Sequence, residues 1–284
     1  MRNIKHVPTK FGEIAYEESG SGPAALFVHG VFLNGYLWRH VIEQLKDSHR
    51  CIALDLMAHG ETKTAQGQEV DFNSQAEMIR AFCDALNLGE IDLVANDSGG
   101  GIAQIFAANH GKRLRSLTLT NCDAHDNWPP AALKPLMDAS KAGKIGDLGR
   151  GMLNDIEFAR RTLSVGYEYP EKLSAETIRT YLEPIFGTAA RVRLFEKWFS
   201  QMDCGQTVAI EAKLKKLEAP TLIVWGTGDV FFDVKWAYWL KDTIPNAGEV
   251  ATLDGAKLFF PEERPTALVN LINKFWSTIE LPPN

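Results

Sequence analysis

The stretch Leu93-Val94-Ala95-Asn96-Asp97-Ser98-Gly99-Gly100-Gly101 decides how the chain is read. It continues a strand-like run from Glu90 to Val94 and leads into a helix-like run from Ile102 to Asn109. A strand turning this sharply into a helix holds its central residue at positive φ. The turn closes only if the residues two before and two after are small. Centred on Asp97, those residues are Ala95 and Gly99; centred on Ser98, they are Asn96 and Gly100, and Asn96 fits poorly. Asp also tolerates positive φ better than most residues. Asp97 is therefore the candidate nucleophile, and Ser98 the residue after it. A glycine-rich phosphate loop is the competing reading, but neither GxGxxG nor GxxxxGK[ST] is present at this turn.

The stretch resembles the nucleophile elbow of the α/β-hydrolase superfamily, in the aspartate branch that contains haloalkane dehalogenases and epoxide hydrolases. Working outward, the apolar run Ala24 to Val28 fits a strand buried on both faces and ends in His29-Gly30-Val31-Phe32. The resemblance implies that the backbone N–H groups of Val31 and Ser98 form an oxyanion hole and that His29 braces the loop. Cys51 to Leu56 is the next buried strand, and Asp55-Leu56-Met57-Ala58-His59-Gly60 resembles the family's Asp-Leu-x-Gly-x-Gly turn, with Ala58 in the place of a glycine. Leu37, Val41 and Leu45 mark a helical stripe over 36–45. Ser74-Gln75-Ala76-Glu77 reads as a capping box opening the next helix, with Gly89 just past its end. Ser116 to Asn121 is a further strand.

From Asn127 to Ala212 the strand pattern stops, and amphipathic runs follow at 131–141, 156–163, 175–186 and 191–202. It resumes at Pro220 to Trp225. The expected architecture is α/β: a doubly wound, mostly parallel sheet from 1–126 and 213–284, with 127–212 inserted as a helical cap.

The resemblance places the catalytic acid at Asp229, in Trp225-Gly226-Thr227-Gly228-Asp229. Asp123 and Asp126 stand at the alternative acid position after the preceding strand. It places the catalytic histidine just before Pro261-Glu262-Glu263-Arg264-Pro265, where this chain has Leu258, and no histidine follows His125. In the aspartate branch the carboxylate forms an alkyl ester and histidine activates the water that cleaves it. Leucine transfers no proton, so the remaining candidate bases are His125, Lys257 and His29. The halide-holding positions of the dehalogenases correspond to Val31 and Ser98, and the cap tyrosines of epoxide hydrolases have counterparts in Tyr167, Tyr169 and Tyr181. Phe32, Trp38, Trp128, Phe231 and Phe232 are candidates for an apolar pocket wall.

Forty-five per cent of the 284 residues are hydrophobic, enough for one large domain. The net charge of -6 has no long runs and argues against a nucleic-acid or membrane-surface partner. There is no secretory-type apolar leader and no bilayer-length apolar run. Cys51, Cys83, Cys122 and Cys204 are scattered, without metal or disulfide spacing, as in a cytoplasmic protein. The expectation is a hydrolase of a small, mostly apolar molecule acting through Asp97, with no metal or cofactor. The alternatives are a lyase, isomerase or decarboxylase with Asp97 as base, and a ligand-binding protein on a disabled hydrolase fold. Substrate and oligomeric state are not written in the sequence.

Overall fold

The continuous apolar runs form the middle of one sheet. A computed structural model describes residues 2–279; Met1 and 280–284, the outer ends of the expected core spans, lie outside the described residues. The strands are β1 (Lys5–Thr9), β2 (Gly12–Ser19), β3 (Ala24–Val28), β4 (Arg50–Leu54), β5 (Lys63–Thr64), β6 (Ile91–Asp97), β7 (Leu114–Cys122), β8 (Thr221–Gly226) and β9 (Ala251–Leu253). Their order is β1-β2-β4-β3-β6-β7-β8-β9, with β5 beside β2. The β1–β2, β2–β4 and β2–β5 pairs are antiparallel and all the others parallel. Every residue of β6 and of β8 is buried, as strands covered on both faces require. Helix α1 (Arg39–Leu45) packs with α13 (Pro265–Trp276), and α2 (Phe72–Ala85) packs with α3 (Ser98–His110).

Local chemistry shifts several element boundaries. The run over 36–45 divides into a 3₁₀ turn at Gly35–Trp38 and then α1. The side chain of Asn34 accepts from Tyr36 N–H and fixes that tight start. Ser74-Gln75-Ala76-Glu77 is not the capping box of α2. The helix begins at Phe72, and Asp71 is the cap, its Oδ1 accepting from Ser74 N–H at 2.7 Å. Glu77 pairs instead with Arg80 and His110. The left-handed residue that ends α2 is Asn87, at φ 51°, rather than Gly89. Ala58, in the glycine position of the family turn, takes φ 67°, a conformation that costs a residue with a Cβ roughly 1 kcal/mol.

The three glycines after Ser98 each have a steric reason. A Cβ on Gly99 would meet the His29 carbonyl at 2.3 Å, one on Gly100 the Cys122 Cβ at 2.2 Å, and one on Gly101 the Phe72 ring at 2.7 Å. Helix α3 therefore starts pressed against β3 and β7, and this sets the height of Asp97 above the sheet.

Between β7 and β8 the described chain is helical. It contains α4 (Lys134–Lys141), α5 (Ile145–Asn154), α6 (Ile156–Leu163), α7 (Ala175–Phe186), α8 (Ala189–Ser200), α9 (Gly205–Val208) and α10 (Glu211–Leu214). A 3₁₀ turn at Ala131–Leu133 leads into α4. Helix α5, with Gly146, Gly149 and Gly151, is not evident from the sequence. Gly149 is needed because the Phe186 ring of α7 lies where its Cβ would be. After β8 come α11 (Lys235–Thr243), β9 and α12 (Phe260–Glu263). Among the described residues no helix is long and apolar enough to cross a membrane.

Candidate active site

Three neighbouring parallel strands each deliver an aspartate at their C-terminal end: Asp97 from β6, Asp123 just after β7, and Asp229 just after β8. Asp97, the last residue of β6, has φ 58° and ψ −136° and directly precedes Ser98, the first residue of α3. Its Oδ2 accepts from Val31 N–H at 2.8 Å, and the Ser98 N–H lies close to the carboxyl group. The Val31 donor of the expected oxyanion hole is thus taken by the carboxyl group itself. Burial raises the Asp97 pKa to about 8, with a contribution from the charge of Asp229, against the opposing backbone N–H groups of Val31 and Ser98. The Ser98 Oγ is buried without a partner and does not reach the cavity.

Asp97 opens onto a cavity of about 230 Å³ walled by Phe32, Leu136, Met152, Phe231, Leu258 and Phe259, among others. Val31 is also on this wall. The only other side chain there with a polar group is Thr162, whose hydroxyl donates to Phe158 O at 2.9 Å. Among the described residues Asp97 is the only ionisable group on a largely apolar wall.

Residues 23–144 match the protein family described as the alpha/beta hydrolase fold. Haloalkane dehalogenase 2 of Mycobacterium tuberculosis is 26% identical over 266 residues, covering 92% of this chain and 90% of its own. A monoacylglycerol lipase of Rattus norvegicus is 22% identical over 292 residues, covering 100% of this chain and 84% of its own. The crystal structure of an alpha/beta hydrolase fold protein from Burkholderia ambifaria superposes with a TM-score of 0.83 at 22% identity, over 95% of this chain and 97% of that one. The chain has the α/β-hydrolase fold.

Leu258 lies on the cavity wall with Asp97. Its carbonyl accepts from Asn96 Nδ2 at 3.0 Å, so the residue before Asp97 pins the loop that carries Leu258. Asp229 does not stand unpaired. Its Oδ2 accepts from Asn121 Nδ2 at 2.7 Å and its Oδ1 from Phe231 N–H at 2.8 Å. Burial still raises its pKa to about 6, against those hydrogen bonds. Asp123 is fully buried with no hydrogen bond to either oxygen. Burial, and then the charges of Asp97 and Asp229, push its pKa well above the carboxylate range.

The three candidate bases lie elsewhere. His125 is off the cavity: Nδ1 faces Asp126 at 3.4 Å, Nε2 faces Glu211 at 3.2 Å, and the ring packs on Trp239. Its backbone is left-handed, at φ 49°. The Lys257 ammonium donates to Ser164 O at 2.9 Å. His29 is buried and spent on backbone: Nε2 accepts from Leu56 N–H at 3.0 Å, and Nδ1 donates to Gly30 O at 2.8 Å. Burial lowers its pKa to about 4, so it is neutral.

Trp38 and Trp128 are also off the wall, Trp38 against Phe27 and Trp128 stacked on Phe72. The Tyr167 and Tyr181 hydroxyls both donate to Glu262, at 2.7 and 2.9 Å, and Tyr169 is exposed. No tyrosine reaches the cavity. Sequence reading missed Asn96, Asn121 and Glu262. Asn96 alone had a local signal, as the oversized neighbour of the elbow.

Proposed function

We propose that this protein is a hydrolase that acts on a small, apolar organic molecule through Asp97, with 127–212 as the cap over the site. The single observation that carries the reading is the solitary carboxyl at positive φ on an apolar wall. A cavity of about 150 Å³ holds benzene, so about 230 Å³ suits a molecule somewhat larger. The ionised Asp97 oxygen attacks an sp³ carbon, a C–O ester bond forms, and the bond to the leaving group breaks with its electron pair. Water then cleaves the ester and restores the carboxylate. The relative named haloalkane dehalogenase makes an alkyl halide a rational first substrate. Among the described residues the wall offers no free side-chain donor for halide, since the Thr162 hydroxyl is taken by Phe158 O, and no tyrosine for an epoxide oxygen. The buried thiols Cys51, Cys83 and Cys122, all unpaired, are compatible with a cytoplasmic protein.

Leu258 makes the second step the slow one. Incubation with a small alkyl bromide or epoxide is expected to leave an ester on Asp97, visible as a mass increase of the intact protein and absent in Asp97→Asn. Leu258→His is expected to shorten the life of that ester by tenfold or more, on the scale of general-base catalysis. No adduct at any pH up to 9 with either reagent would refute the nucleophile reading. The second reading, proton transfer without hydrolysis, is favoured by the raised Asp97 pKa, since a group near 8 both gives and takes protons at neutral pH. Its mark would be solvent deuterium appearing in a recovered ligand with no adduct.

A further inference from the structure

Among the described residues Phe32 is one of five other than glycine held at positive φ, at 62°. It follows Val31, whose N–H is on Asp97 Oδ2. The loop lies directly on the carboxyl group: a Cβ on Gly30 would come within 2.2 Å of that same oxygen. A bulky side chain leaves the left-handed region unless it is held from outside. The hold comes from the helical segment between β7 and β8. The Phe32 ring packs against Phe186, Phe195 and Phe199, with centroids 6.1, 5.3 and 6.1 Å away. Two residues on, Asn34 Nδ2 donates to Thr180 O of α7 at 2.7 Å.

We propose that Phe32 is a positioning residue: its ring, seated among the phenylalanines of the helical segment, holds the Val31 N–H on the Asp97 oxygen. Seating that segment therefore favours the ionised, reactive form of Asp97, and unseating it returns the proton. The proposal rests on Asp97 being the reacting group but concerns how its charge is set. The titratable groups facing Asp97 from its neighbours are Cys122 and Asp123 at the end of β7 and Asp229 after β8. None is a cation, so backbone N–H groups are what oppose burial there. A hydrogen bond to the charged form lowers an acid's pKa, and its loss raises it.

The test is the titration of the Asp97 carboxyl itself, followed by infrared difference spectroscopy against Asp97→Asn from pH 5 to 10. Phe32→Ala is expected to move the midpoint up by about one pH unit, a tenfold loss of ionised Asp97 on the acid side. Phe32→Tyr is expected to restore it. Phe195→Leu, acting from the opposite side of the contact, is expected to move it in the same direction by less. A merely structural Phe32 would lower thermal stability and leave the midpoint in place. A midpoint unchanged or lowered in Phe32→Ala overturns the proposal. If that variant does not fold, Phe195→Leu decides alone, by the same criterion. Absence of an alkyl adduct would refute the nucleophile reading without touching this measurement.

Discussion

Burying Asp97 costs stability only while it is charged. Its ordinary pKa is 3.8, and in the folded protein it is raised to about 8. Below pH 3.8 both folded and unfolded chains hold the proton, and the contribution to stability is fully present. Between 3.8 and about 8 the unfolded chain has released it and the folded one has not, so stability falls as pH rises, by at most about 1.4 kcal/mol per pH unit. Above about 8 the loss is complete. Asp97→Asn removes this slope. Its thermal midpoint relative to the parent protein should climb from pH 5 to 8 and then level off. A constant difference across that range would mean that Asp97 ionises as it does in solvent. The positive φ that places this carboxyl is legible in Ala95 and Gly99, because the steric rule behind it spans five residues. The lone position of Asp123 is not, because it depends on what two other strands leave around it.

At the level of elements, the sheet was readable wherever a strand is buried on both faces, since such runs are mostly apolar. The stitching between strand ends was not. Asn121, one residue before the end of β7, behaves like an extra rung of the ladder. Its Oδ1 accepts from Gly226 N–H at 2.6 Å, its Nδ2 donates to Gly226 O at 3.0 Å, and the same nitrogen reaches Asp229. These partners lie more than a hundred residues away in the chain, so no local pattern announces them. The same holds for His125, whose turn chemistry was visible but whose direction is set by Glu211 and Trp239. Asn121→Ala would leave the buried Gly226 N–H without its acceptor and Asp229 without its side-chain donor. Each unsatisfied group costs about 1–3 kcal/mol, and 1 kcal/mol is worth about 2–4 °C in a chain of roughly this size. A fall of about 5 °C or more in the thermal midpoint is expected. A fall of less than about 2 °C would show that the β8 end is held without it.

Across the whole molecule, one seam joins the sheet domain to the helical segment on the Leu258 side. Phe259 N–H donates to Gly166 O at 3.0 Å, and the Phe259 ring lies where a Cβ on Gly166 would be. Glu263 accepts from the N–H groups of Glu168 and Tyr169, both at 2.7 Å. Arg264 donates to Glu168 at 2.9 Å, and Tyr167 to Glu262 at 2.7 Å. This seam runs through the same loop that Asn96 pins from below, so the Leu258 wall is fixed from both sides. The opposite wall, built from Pro130, Leu133, Leu136 and Met152, has no comparable set of bonds to the sheet domain among the described residues, and the cavity should admit ligand there. Glu263→Ala tests which part of the seam holds. It removes two acceptors from backbone amides and leaves the Phe259–Gly166 bond and the Glu262 cluster. Amide hydrogen exchange at Glu168 and Tyr169 should then quicken by tenfold or more, while amides of β6 and β7 keep their parent rates. Exchange that also quickens across α7 and α8 would make the seam the hinge on which the whole helical segment turns. Unchanged exchange at Glu168 and Tyr169 would mean that Glu263 contributes nothing to the seam, and that the Phe259–Gly166 bond, the Arg264–Glu168 pair and the Glu262 cluster carry it.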